Sequence, residues 1–153
     1  MWHARKVTKS RRVIRDRRRR GTIKLLGVEL DSALSMDGHV FNVVHGCNYH
    51  TRAVRHIRPL LDLDTAKMLA QGIVAARLDY CNSLMCGMSN RNFKRLQVTQ
   101  SALARAVCSA PWSTSATVLR RSLHWLPVRR RVDYKLALIT FKARRTGCPV
   151  YIA

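Results

Sequence analysis

The chain has 153 residues, 47% of them apolar, which is enough for one domain with a real core and too many for a wholly disordered polymer. It carries 29 Lys and Arg against 8 Asp and Glu, a formal net charge of +21, and its sole glutamate is Glu29. That balance predicts an anionic partner and leaves too few acids for a large carboxylate-built catalytic centre.

The charge is densest at the start. Residues 1–20 hold ten basic residues and one acid, Asp16, and end in the run Arg17, Arg18, Arg19, Arg20. Residues 1–21 read as a basic, disordered arm closed by Gly21. Arginine suits phosphate through its bidentate fork, so nucleic acid is the first candidate partner and an anionic membrane surface the second. The arm lacks the apolar centre of a signal peptide. Its unbroken arginine run has no apolar face, which favours a nuclear or nucleolar address over a mitochondrial one. A solvated tail with no reader is the alternative. No stretch of about 18 apolar residues occurs, so no membrane-spanning helix is expected; nucleic acid, and no membrane, is the partner expected.

Residues 22–34 form a second zone. Thr22 to Leu30 alternates as one strand, with Leu26, Val28 and Leu30 on one face and Ile23, Leu25, Gly27 and Glu29 on the other. A lone strand cannot satisfy its own backbone, so it must pair outside the chain or with the arm.

Residues 35–153 are predicted to be helical. Asp37 is the expected cap of a helix over 38–58, with Val40, Val43, Val44, Cys47, Val54 and Ile57 inward, stopped by Pro59. Asp64 is expected to cap a helix over 65–79 with Ala66, Leu69, Ile73 and Ala76 on one stripe. Asn90 is expected to cap a third over 91–109, burying Phe93, Leu96, Leu103, Ala106 and Val107. Ser115 opens a short helix carrying Val118, Leu119 and Leu123. The last helix runs from Val128 to about Arg145, burying Val132, Leu136, Ile139 and Ala143, with Gly147 as its C-cap. The expected fold is therefore mainly α: four to five helices behind one strand.

Chemistry is sparse. Glu29 with Asp31, and Asp62 with Asp64, are better read as a solvated strand end and a helix cap than as metal ligands. No adjacent Asp-Asp pair, glycine-rich phosphate loop or nucleophile elbow occurs. The five cysteines, at 47, 81, 86, 108 and 148, make an odd count, and neither Cys47/His50 nor Cys81/Cys86 completes a zinc site. His124 beside Trp125 reads as a packed turn histidine. No catalytic residue, metal or cofactor is assigned.

The basic rows on the helices say more. Arg129, Arg130, Arg131 and Lys135 crowd the first turns of the last helix, where positive charge opposes the helix dipole. Arg52, Arg55 and Arg58 recur at i, i+3, i+6, and Arg91, Lys94 and Arg95 open the third helix. These rows and the arm are the candidate phosphate contacts. Aromatic residues are few, at 7%, so a base-stacking sheet is not expected.

Three strings carry a family resemblance: Lys24-Leu-Leu-Gly-Val-Glu-Leu-Asp31, Ala76-Arg-Leu-Asp-Tyr-Cys-Asn-Ser-Leu84 and Leu123-His-Trp-Leu-Pro-Val128. Leu96 to Arg105 and Tyr134 to Ala143 agree in order and spacing. Over residues 22–153 the chain resembles the end of the reverse transcriptase of non-LTR, LINE-type retrotransposons, of the chicken-repeat or Jockey-like kind. The resemblance implies a strand left from the palm sheet followed by a thumb-like helical bundle that leans on a template–primer duplex. It also implies an absence, because the family's catalytic aspartates lie earlier in the chain and nothing here matches them. The expected function is thus non-catalytic binding of RNA or an RNA–DNA duplex, with the missing palm and fingers as a further partner. The alternative is a decayed open reading frame with no selected role.

Overall fold

The computed structural model describes residues 21–147; the arm, with Arg17, Arg18, Arg19 and Arg20, and Cys148 lie outside the described residues. Two short strands, β1 (Thr22–Leu25) and β2 (Val28–Asp31), precede six helices: α1 (Asp37–Ile57), α2 (Leu63–Ala70), α3 (Ala76–Asp79), α4 (Asn90–Val107), α5 (Ala116–Ser122) and α6 (Val128–Thr146). α2 and α3 are the two ends of one continuous helix, so the expectation of a mainly helical fold with four to five helices holds.

The expected single strand is instead a hairpin. β1 and β2 pair antiparallel, Thr22 opposite Asp31 and Leu25 opposite Val28. Leu26 and Gly27 turn the chain, both at positive φ (46° and 83°), as a two-residue hairpin loop requires. The expected strand faces therefore dissolve at the turn. Leu26 is an uncommon occupant, since a left-handed backbone costs a non-glycine residue about 1–2 kcal/mol. The Tyr80 hydroxyl donates to its carbonyl at 2.7 Å and anchors the turn. Only β2 faces the core, through Val28 and the half-buried Leu30, while Ile23 on β1 is 69% exposed.

Asp31 ties the hairpin to α1. Its carboxylate accepts from the backbone N–H groups of Ala33, Ser35 and Met36 and from the Ser35 hydroxyl, at 2.9–3.0 Å. These bonds hold a loop in which Leu34 and Met36 both take positive φ, and they hold the Asp31 carboxyl below its usual range. The strand end expected to be solvated is thus a structural clamp. Asp37 does not cap α1; Met36 occupies that position and Asp37 sits in the first turn. Beside it, a Cβ on Gly38 would meet Glu29 Oε1 at 2.8 Å, so a larger residue there would displace the Glu29 carboxylate.

α1 and α4 form the centre and run in the same direction. Near their starts Asn92 donates to Asp37 Oδ1 at 2.7 Å and to the Ser35 carbonyl at 3.2 Å. At their ends Arg58 donates to the carbonyls of Val107 and Leu61. A parallel pair needs a return, and the α2–α3 segment supplies it. Asp62, not Asp64, caps α2, accepting from Thr65 N–H at 3.2 Å. Ser89, not Asn90, caps α4.

The return helix buries Ala66, Ala70, Val74 and Leu78, one residue in four. An ideal α-helix would rotate such a row off its face by about 40° at each step. The wider π-turn at Gln71–Ala75 absorbs that drift. This is why the expected stripe fails after Ala66: Leu69 is half-buried, while Ile73 and Ala76 face outward. Ile57 of α1 is outward too. The α4 and α6 stripes agree with expectation: Phe93, Leu96, Leu103, Ala106, Val107, Val132 and Ala143 are buried, Leu136 and Ile139 half-buried. α5 begins after Ser115 as expected, although that side chain makes no capping bond.

Candidate nucleic-acid interface

The basic rows separate once folded. Arg91 and Lys94 are exposed on the first turns of α4, and Arg129 and Arg130 are exposed on the first turn of α6. Arg129 brings the two helix starts together. Its guanidinium lies 4.2 Å from the Phe93 ring centroid and bonds to the Asn90 side chain. Side chains nearly forty positions apart thus share one edge. Opposite them stands Asp133, 3.9 Å from Arg130 in a loose, exposed contact of the kind that contributes little.

Other members have internal work. Arg131 pairs with Asp79 at 3.0 Å, and both are partly buried. Burial raises the Asp79 carboxyl above its usual range, against the lowering effects of Arg131, Asn82 and Lys135. Lys135 is exposed and lines a cleft of about 330 Å3 with Asp79, Asn82 and Tyr134. Arg95 is half-buried, 5.9 Å from the Phe41 ring centroid. Arg58 is drawn inward onto carbonyls, which breaks the Arg52–Arg55–Arg58 row. Arg52 and Arg55 remain exposed but lie on the far half of α1. Asp37 and Arg52 are fifteen residues apart, or about 22 Å along the axis.

The strings that carry the family resemblance meet in space. Tyr80 of the second string holds Leu26 of the first. Gln97 and Gln100 of α4 hold the third: the Gln97 side-chain oxygen accepts from Val128 N–H at 3.0 Å, and the Gln100 amide donates to the Leu126 carbonyl at 2.9 Å. Asn82 is buried, and Asp79 joins α3 to α6.

Three basic residues that the sequence rows passed over also gather. Arg105 on α4 and Arg120 on α5 are half-buried, and Arg121 follows on α5. No regular spacing links 105 to 120, so only the contact between α4 and α5 reveals them. His124 is exposed rather than packed, while Trp125 is buried.

Among the described residues no three of His, Cys, Asp or Glu converge to hold a metal ion, and no helix is long and apolar enough to cross a membrane. The cysteines at 47, 81, 86 and 108 are free, and burial pushes the Cys47 thiol up to about 11. Comparisons with protein-family models, curated proteins and solved structures return no match.

Proposed function

We propose that this chain is the palm-end and thumb portion of a LINE-type retrotransposon reverse transcriptase, non-catalytic in itself, that grips RNA or an RNA–DNA duplex without sequence preference. The observation that carries the binding half is the α4–α6 edge, where Arg91, Lys94, Arg129 and Arg130 stand exposed with one loosely placed carboxylate among them. Such an edge suits a phosphate backbone, and its binding would weaken steeply with salt. The family half is supported by the bonds that tie the first string to the second and the third to Gln97 and Gln100 of α4, which give each a structural task. The engagement of the acids supports the non-catalytic half. Asp31, Asp62 and Asp79 are engaged in a loop, a cap and an ion pair, and Glu29 accepts from Asn42 at 2.7 Å.

The test is a salt titration of duplex binding by the full chain. Replacing Arg91, Lys94, Arg129 and Arg130 with Gln should weaken binding alike for unrelated sequences. It should also flatten the log–log salt slope by about 0.7–0.9 for each phosphate the variant no longer neutralises. No binding at low salt, or an unchanged slope, sinks the proposal. Primer extension by the purified chain would sink its non-catalytic half.

A second reading, a decayed reading frame with no selected role, is favoured by one feature. β1, an edge of the two-stranded sheet, presents Ile23 and Leu25 outward and leads into the exposed Leu26 of the turn, an edge prone to aggregation. A cooperative melt of a monomer counts against it.

A further inference from the structure

The arginines around α5 pose an electrostatic problem that those of the α4–α6 edge do not. Arg120 is half-buried, and its guanidinium donates to Ser101 Oγ at 2.8 Å and Thr117 Oγ1 at 3.3 Å, neither of which returns a negative charge. Arg105, also half-buried, donates to the Thr114 carbonyl at 3.3 Å and lies 4.6 Å from the Trp112 ring centroid, while its buried Nε has no partner. The two sit close enough that burial and Arg105 together pull Arg120 below its usual value. Among the described residues the ion pairs are Lys67–Asp64, Arg130–Asp133 and Arg131–Asp79, and none reaches this group. Half-buried like charges with no counter-charge favour an anion beside them.

A receptacle lies alongside. A cleft of about 460 Å3 opens between α5 and the Leu123–Pro127 turn, lined by Thr117, Arg120, Arg121, His124, Trp125 and Leu126. Its wall combines two guanidiniums, an imidazole and a hydroxyl with apolar surface from Leu126 and Trp125. That volume is in the range of small-ligand sites and exceeds what a bare phosphate needs.

The backbone at His124 points the same way. α5 ends with Trp125 N–H donating to the Arg120 carbonyl at 2.8 Å and His124 N–H to the Arg121 carbonyl at 3.0 Å. This closure places His124 at φ 56°, where glycine is the comfortable residue. Six non-glycine residues among those described share such a φ, and of these His124 has its side chain along the basic cleft.

We propose that this cleft binds the phosphate monoester of a nucleotide, free or at the 5′ end of a strand, with Arg120, Arg121 and His124 on the phosphate and the Trp125–Leu126 wall against its sugar or base. A monoester carries close to two negative charges at neutral pH, which matches a cluster of cations better than a single backbone phosphodiester does. The cleft has none of the four basic residues of the α4–α6 edge in its lining and does not rest on the polymerase reading.

The experiment compares the full chain's affinity for a short single-stranded oligonucleotide bearing a 5′-phosphate with that for the same strand bearing a 5′-hydroxyl. The hydroxyl form measures backbone gripping alone, so failure of either reading is seen separately. We expect a preference for the phosphorylated end of about tenfold, lost in Arg120→Gln and in His124→Gly with hydroxyl-form affinity held within about twofold. Because His124→Gly relieves the left-handed strain, it should melt above the parent, so lost preference in that variant is not lost folding. Guanosine monophosphate competing for the preference marks a free-nucleotide site. Competition only by phosphorylated strands marks a strand-end site, and either supports the proposal. Equal affinity for the two ends with no competition by guanosine monophosphate overturns it. So does full preference in both variants, or inorganic phosphate competing as well as the nucleotide.

Discussion

Two half-buried arginines, Arg131 in the α3–α6 contact and Arg120 in the α4–α5 contact, meet different company. Arg131 faces the Asp79 carboxylate at 3.0 Å, whereas Arg120 faces two hydroxyls and a second arginine. The difference extends to the regions around them. Around the starts of α1, α4 and α6 stand Glu29, Asp31, Asp37, Asp79 and Asp133, five of the seven acids among residues 21–147. They offset three helix N-termini and several cations. The contact between the second half of α4 and α5 has cations and no acid. In the first region the half-buried Arg131 has a carboxylate partner and the cations of the α4–α6 edge are exposed to solvent, whereas in the second the half-buried Arg105 and Arg120 have no carboxylate partner among the described residues.

The largest effect that could break this comparison is at Asp79. Asp79→Ala leaves Arg131 half-buried without its partner. Breaking a fully buried pair costs about 3–5 kcal/mol; with part of this pair in solvent, about 2 kcal/mol is expected by denaturant melt. Replacing both residues by Leu should recover most of that loss, since the pair itself stabilises little and its breakage is what costs. If the double variant is as unstable as the single one, Asp79 acts through something other than Arg131.

A smaller effect sharpens the contrast. Arg120→Gln removes a charge that has no counter-charge, so loss of its hydroxyl bonds and relief of repulsion from Arg105 work against each other. A net change within about 1 kcal/mol is expected. A loss as large as that of Asp79→Ala would make Arg120 a structural post and weaken the case for a ligand there.

The smallest effect is the response to acid, and its two components have opposite sign. Asp31 and Asp62 have folded-state values below 3.8. The stability they contribute is therefore full above about pH 3.8 and is lost as pH falls through their depressed folded values. Asp79 is raised above 3.8, so its folded form holds a proton that the unfolded chain has released. Stability from this group falls as pH rises from about 3.8 through its raised value. The melting temperature should thus pass through a shallow maximum just above pH 3.8, and Asp79→Asn should remove the rise on its neutral side. A monotonic fall in the parent protein would show that Arg131 outweighs burial at Asp79.

Much of the fold is legible in the residues because it is local. The α4 and α6 stripes follow a 3.6-residue period, and Gly147 takes the left-handed C-cap that glycine favours. The hairpin was not legible. Leu26-Gly27 lacks the Asn-Gly or Asp-Gly signature, and the alternation passes through the turn unbroken; Tyr80, fifty-four residues on, holds it. The caps of α1, α2 and α4 each moved one or two residues toward the N-terminus, because a nearby polar side chain identifies a helix start without fixing which residue leaves the helical backbone. The π-turn in the return helix is written in the one-in-four row of Ala66, Ala70, Val74 and Leu78, a spacing that an ideal helix template does not test.

The site was less legible than the fold. Charge rows could be counted, but which arginines are free is a question of partners. Arg58 and Arg131 stand in rows like those of Arg52 and Arg130, yet a carbonyl pair claims one and a carboxylate the other. Residue order alone determined a basic, mainly helical chain, since charge and helical period are properties of residue types and their near neighbours. The three-dimensional packing decided which charges are neutralised, where two helix starts share an edge, and that Arg105 and Arg120 lie together without an acid among the described residues. Coulomb energy and desolvation depend on distance and burial, and those exist only once the chain is folded.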